Sequence, residues 1–185
     1  MVRVVSSVVQ AFDLLTASDR PRDLLELHLD RKGALSAAQI AAFETSVGWP
    51  IPEAYRTLLA SCGPFDLRFA DEDEIELFEF LGQDRALEQR AALKTLLTKI
   101  SASIPADDEL YPVMTLPVEH LLPATMNHDD NGRTSFTFWE RDVDALYFCH
   151  EREGLDESDD TLEQYVIERV AAYAHYDLHE QRWYE

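Results

Sequence analysis

Cysteine is scarce in this chain, and so are glycine, proline and positive charge. The two cysteines among 185 residues, Cys62 and Cys149, are too few for a disulfide framework or a thiolate zinc site. Both sit in apolar runs, which reads as core and excludes redox chemistry. Six glycines and eight prolines exclude a repetitive or low-complexity chain. No stretch approaches the roughly 18 uninterrupted apolar residues of a membrane span. The opening run Met1 to Gln10 has neither a long leucine-rich centre nor a small-residue cleavage site, so a cytoplasmic protein is expected. What remains is 46% hydrophobic and 10% aromatic, enough to bury the core of one domain spanning 1–185.

The shortage of cations is the most informative. Sixteen Lys and Arg stand against thirty-six Asp and Glu, a net charge of −20. A surface so negative repels phosphates, because nucleic-acid binding relies on basic side chains that displace counterions. Direct binding of DNA or RNA is therefore excluded. The excess is uneven: residues 1–65 carry six basic and seven acidic side chains, whereas 66–185 carry ten and twenty-nine. Three tracts are densest, Asp66 to Glu79, Asp107 to Glu109 and Glu151 to Asp160. Such tracts serve solubility, or they form a docking face for a basic partner, whose encounter their field accelerates.

Periodicity divides the chain. Val8, Val9, Phe12 and Leu15 predict a helix within residues 2–17, and Leu24 to Leu29 reads as a short apolar helix ending at Lys32-Gly33. Ser36 and Gln39 make a capping box for a helix with Ile40, Phe43 and Val47 on one face, stopped by Gly48. Pro50 and Pro52 force an extended corner, and Pro52 then opens a helix carrying Tyr55, Leu58, Leu59 and Cys62. From Phe65 onward the period changes. Ile75 to Leu81 reads as a half-buried strand with Glu74, Glu76 and Glu79 on its wet face. Ala86 to Ile100 is helical, with Leu93, Leu96, Leu97 and Ile100 inward and Arg90, Lys94 and Lys99 outward. Four prolines make 101–123 loop or edge. Asn131-Gly132 marks a turn, followed by strands at Phe136 to Trp139 and Ala145 to His150. Thr161 with Gln164 caps a last helix. The class is α+β, with N-terminal helices that include a helical hairpin, a central mostly antiparallel sheet and a C-terminal helix.

The hairpin carries a resemblance. Ile40 and Glu44, then Gly48, Ile51-Pro52, Tyr55, Leu59 and Gly63 fill in order the opening motif of the SMI1/KNR4 superfamily, also called SUKH. Later landmarks at Leu121 to Pro123, at 145–150 and at Thr161 to Tyr165 are similar more loosely. The chain departs from the pattern in having Cys62-Gly63 for Asn-Gly, Ile51 for Leu, and a longer helix near 84–101. The resemblance implies a SUKH-like α+β domain. In bacteria it implies an immunity protein that neutralises a cognate polymorphic toxin. Many such toxins are nucleases, whose basic phosphate cleft an acidic protein can occupy. On charge density, the expected partner contacts are Asp71, Glu72, Asp73, Glu74, Glu76, Asp129 and Asp130. An acidic regulatory or scaffold protein of the same fold, without a toxin, is the alternative.

Catalytic constellations are poor. Asn127, Asp129, Asn131 and Gly132 match the first positions of a calcium loop, but Phe138 stands where its bidentate Glu belongs. His175 and His179 are spaced for one helix face, yet the Glu that metal-assisted hydrolysis uses beside the first His is missing. His120, His128 and His150 have acids near them in sequence but no activated Ser or Cys nucleophile. Cys149 and His150, adjacent in a strand, point to opposite faces. The expectation is a non-enzymatic binding protein with no cofactor and no metal.

Overall fold

The computed structural model describes residues 5–17, 26–70, 75–128, 131–174, 176–177 and 182–183. The architecture is α+β. Its centre is a seven-stranded antiparallel sheet in strictly sequential order: β1 (Glu26–Arg31), β2 (Phe65–Ala70), β3 (Ile75–Phe80), β4 (Leu121–His128), β5 (Thr134–Glu140), β6 (Leu146–His150) and β7 (Gly154–Glu157). A separate two-stranded ribbon pairs β8 (Tyr176–Asp177) with β9 (Arg182–Trp183). The helices are α1 (Val8–Ala17), α2 (Ala37–Val47), α3 (Glu53–Ser61), α4 (Gln83–Ser101), α5 (Tyr111–Thr115) and α6 (Leu162–Tyr173).

Residues directly opposite in antiparallel strands share a face, so the register sorts the side chains into two layers. One face carries Phe65, Leu67, Phe78, Phe80, Thr125, Thr137 and Phe148. It is covered by α1, α3 and α6: Phe12 meets Phe65 edge-on at 4.9 Å, Tyr55 meets Phe80 at 5.5 Å, and Tyr165 meets Phe78 at 6.3 Å. The other face carries Met126, Phe136, Phe138, Cys149 and Leu155, and α4 lies over it along β4 and β7. Leu93, Leu96, Leu97 and Ile100 of α4 are buried as their spacing predicts.

The hairpin of α2 and α3 forms as read. Ser36 and Gln39 close a reciprocal capping box, and Gly48 ends α2 in the left-handed region at φ 88°. Tyr55, Leu58, Leu59 and Cys62 are all buried. Thr161 caps α6 by accepting the Gln164 N–H. β5 and β6 pair as expected, Phe138 facing Tyr147.

Several expectations are corrected. Leu24 to Leu29 is not a helix: Glu26–Arg31 is the edge strand β1, with Leu27 and Leu29 alternating toward the covered face; Leu24 and Leu25 lie outside the described residues. The apolar run was too short to distinguish period 2 from period 3.6. In α1, Leu14 is buried and Val9 is exposed. β2 is a strand that periodicity does not single out. Pro123 lies inside β4, where a register shift between Pro123 and Thr125 accommodates it. The acids of β3 do not share a wet face. Glu76 points to the α6 side with Phe78 and Phe80, and Glu79 points to the other face and is only 5% exposed. Arg90 and Lys94 do not point outward either. Arg90 Nε donates to the Leu121 carbonyl at 2.8 Å, and Lys94 Nζ to that of Met114 at 3.0 Å.

Candidate functional site

The hairpin motif is built from internal staples. Glu44 Oε1 accepts from Arg56 at 2.6 Å and from the Ile51 N–H at 3.3 Å, closing the corner that Pro50 and Pro52 stiffen. Trp49 Nε1–H donates to the Glu119 carbonyl at 3.2 Å and ties this corner to the turn that leads into β4. Tyr55 is the central pin. Its ring stacks on Trp139 at 5.6 Å and meets Phe43 at 5.9 Å, while its hydroxyl donates to the Leu81 carbonyl at 2.5 Å. Burial pushes that phenol well above its ordinary value, because a phenolate there would be desolvated. Glu44, Trp49, Ile51 and Tyr55 are thus held by contacts within the fold.

The acidic residues singled out for partner contact divide. Asp71, Glu72, Asp73, Glu74, Asp129 and Asp130 lie outside the described residues. The strand ends leading to them are neighbours, with Leu77 of β3 opposite His128 of β4. Glu76 is half-buried and lies close to the Tyr173 hydroxyl, which donates to Asn127 Oδ1 at 3.4 Å, and to the Arg169 guanidinium. It serves the contact between β3 and α6. Glu79, not among the expected contacts, is taken by a forked ion pair in which Arg85 Nη2 and Nε lie 2.8 and 3.1 Å from its carboxylate.

Most of the described cations are paired with groups of the chain itself, several of them at the surface. Lys32 holds Asp30 and lies 3.5 Å from Asp66, Arg56 holds Glu44, and Arg85 holds Glu79 and Glu88. Lys99 holds Glu151, which lowers the pKa of that carboxyl. Arg90 and Lys94 are spent on backbone carbonyls. Burial lowers the Arg90 pKa, opposed by Glu119. Among the described residues, Arg31, Arg68, Arg141 and Arg152 are further exposed basic side chains, Arg31 lying over the Phe12 ring and Arg141 beside Asp142. Exposed carboxylates line the β6–β7 turn and β7 itself: Glu153, Asp156 and Glu157, then Asp159, together with Glu151, which Lys99 holds. The sequence shows this tract as dense charge. Its position along a sheet edge follows only from the strand order.

Among the described residues, clefts open on the surface. One, of about 540 Å³, is lined by Lys32, Gln39, Asp66, Glu79, Asp84 and Arg85 with Leu35 and Phe80, and in it Lys32 pairs with Asp66 and Arg85 with Glu79. The second, of about 590 Å³, runs between α2 and α3 over Ala37, Ile40, Ala41 and Ala60, with Glu44 and Arg56 beside it.

Groups with catalytic potential do not converge among the described residues. Cys149 faces Phe136 and Leu155, whereas His150 lies opposite Ser135 on the other face of the sheet. Burial raises the Cys149 thiol to about 12 and the Cys62 thiol to about 11, so neither is a ready nucleophile near neutrality. His128 lies 2.9 Å from the Thr134 hydroxyl, on the face opposite His150. His175 and His179 lie outside the described residues. None of the described helices is long and apolar enough to cross a membrane. No protein-family model matches this chain, and no curated protein or solved structure matches it significantly.

Proposed function

We propose that this chain is a non-enzymatic binding protein of the SUKH immunity type, acting in the cytoplasm to neutralise a basic toxin domain by one-to-one occlusion. The observation that carries the reading is the fate of the charges. Most of the described cations are paired with the chain's own carboxylates and carbonyls, and the unmatched acidic excess dominates the outer field. Such a field draws in a basic domain at rates up to about 10⁸–10⁹ M⁻¹s⁻¹ and opposes acidic partners. The ordered hairpin motif from Ile40 to Gly63 supports the family half of the proposal. The acids at 71–74, 129 and 130 belong to the proposed contact surface by charge alone. Glu76, the remaining expected contact, is engaged with α6.

The test is calorimetric titration of the chain with the C-terminal domain of the protein encoded immediately upstream, at low and at high salt. A single tight event of unit stoichiometry, weakened about tenfold or more by salt, is expected. No heat at either salt overturns the immunity reading and leaves an acidic scaffold or regulator.

A further inference from the structure

Among the described residues, the sheet ends at β7. In strand order β7 comes last and pairs with β6 alone. The direction of its unpaired groups follows from one hydrogen bond: Ser158 N–H donates to the Leu146 carbonyl at 2.7 Å. With Glu157 opposite Tyr147, that bond makes 158 and 146 a hydrogen-bonded pair and 157 and 147 a non-hydrogen-bonded pair in the antiparallel ladder. Alternation then places the backbone groups of Gly154 and Asp156 toward β6, and those of Leu155 and Glu157 toward the outside. Among the described residues, no other backbone or side-chain group bonds to them.

We propose that this edge accepts an extended basic segment of the partner as an eighth strand. Main-chain bonds to Leu155 and Glu157 would hold it, and its Lys or Arg side chains would lie against the carboxylates flanking β7. The proposal rests on the immunity reading and specifies its contact. The charge decides the occupant. Asp156 and Glu157 are exposed on opposite faces of the strand, with Glu153 beside Arg152 at one end, where Lys99 already holds Glu151, and Asp159 at the other. A second copy of this chain pairing along the same edge would set carboxylate against carboxylate, so the edge resists self-association while matching a strand of opposite sign. The opposite edge, β1, lacks this bias: Arg31 follows Asp30 there, and Lys32 already holds Asp30 and approaches Asp66.

Two measurements on the full chain test it. In the first, a synthetic peptide of about ten residues alternating lysine and threonine is the probe, and amide hydrogen exchange is read by NMR. The Leu155 and Glu157 amides are expected to slow tenfold or more, with little change at Gly154 and Asp156, which already bond to β6. A peptide with glutamine replacing lysine is expected to leave all four unchanged. Protection at residues 27–31 instead, or at neither edge, overturns the proposal.

The second uses the upstream toxin domain with Glu157→Pro and Glu157→Gln. Proline removes an outward N–H that β6 does not use, and glutamine keeps that N–H while removing the charge. Proline is expected to raise Kd at least tenfold and glutamine only a few-fold, with thermal midpoints near that of the parent. Equal effects of the two variants, or none, overturn strand addition while leaving occlusion intact. Failure of the parent chain to bind the domain instead removes the immunity reading itself.

Discussion

Glu44 shows how one side chain converts a sequence motif into geometry. It sits in the last turns of α2, yet its carboxylate accepts the Ile51 N–H and the Arg56 guanidinium, satisfying a backbone donor in a corner that two prolines keep out of the helical region. That a Glu, a Gly and an apolar-Pro pair belong together is legible in sequence; which atom binds which is not. The buried thiols behave similarly. Their apolar contexts mark Cys62 and Cys149 as core, and burial raises them from an ordinary 9.0 to about 11 and about 12. The folded chain therefore keeps protons that the unfolded chain releases. This contribution to stability is complete below the unfolded value and is lost as pH rises through the folded ones, at up to about 1.4 kcal/mol per pH unit for each thiol. Urea unfolding is expected to show a falling midpoint between about pH 9 and pH 11, with a shallower fall in Cys149→Ala. Parallel pH profiles for parent and variant would remove the thiol from the account.

Elements with strong end signals were legible. α2 and α6 have side-chain caps, α3 is opened by Pro52, and each shows its expected apolar face. β1 was not legible, because two alternating leucines look alike on a short helix and on an edge strand until a partner is known. Gly63 shows how elements constrain one another across the fold. It ends the α3 region at φ 70°, and a Cβ added there would fall 1.8 Å from the Gly33 carbonyl oxygen. Gly48 also has positive φ, 88°, but has open space around it. Gly48→Ala is expected to cost about 1 kcal/mol, the ordinary strain of a left-handed alanine. Gly63→Ala is expected to cost about 3 kcal/mol or more, since backbone must move. Denaturant midpoints of the two variants decide this, and equal losses would contradict the close approach.

At the scale of the whole molecule, a net charge of −20 makes the chain repel itself, and the same field attracts a basic partner. Salt should therefore act in opposite directions on folding and on binding. Raising ionic strength from about 10 mM to about 150 mM shortens the screening length from about 30 Å to about 8 Å. The thermal midpoint of the free chain is expected to rise over that range, while affinity for a basic domain falls. A midpoint that drops with salt would mean that internal ion pairs such as Arg85 with Glu79 outweigh the net repulsion. Composition, charge asymmetry, the α+β class and the capped hairpin were determined by the sequence alone, because each depends on residue type or on neighbours within one or two turns. The tertiary structure alone decided the sheet order, the inward turn of Glu76 and Glu79, the pairing of the cations within the chain and the sheet edge at β7. These depend on pairings between segments far apart in the chain, and in a strand a shift of one residue exchanges the buried face for the exposed one.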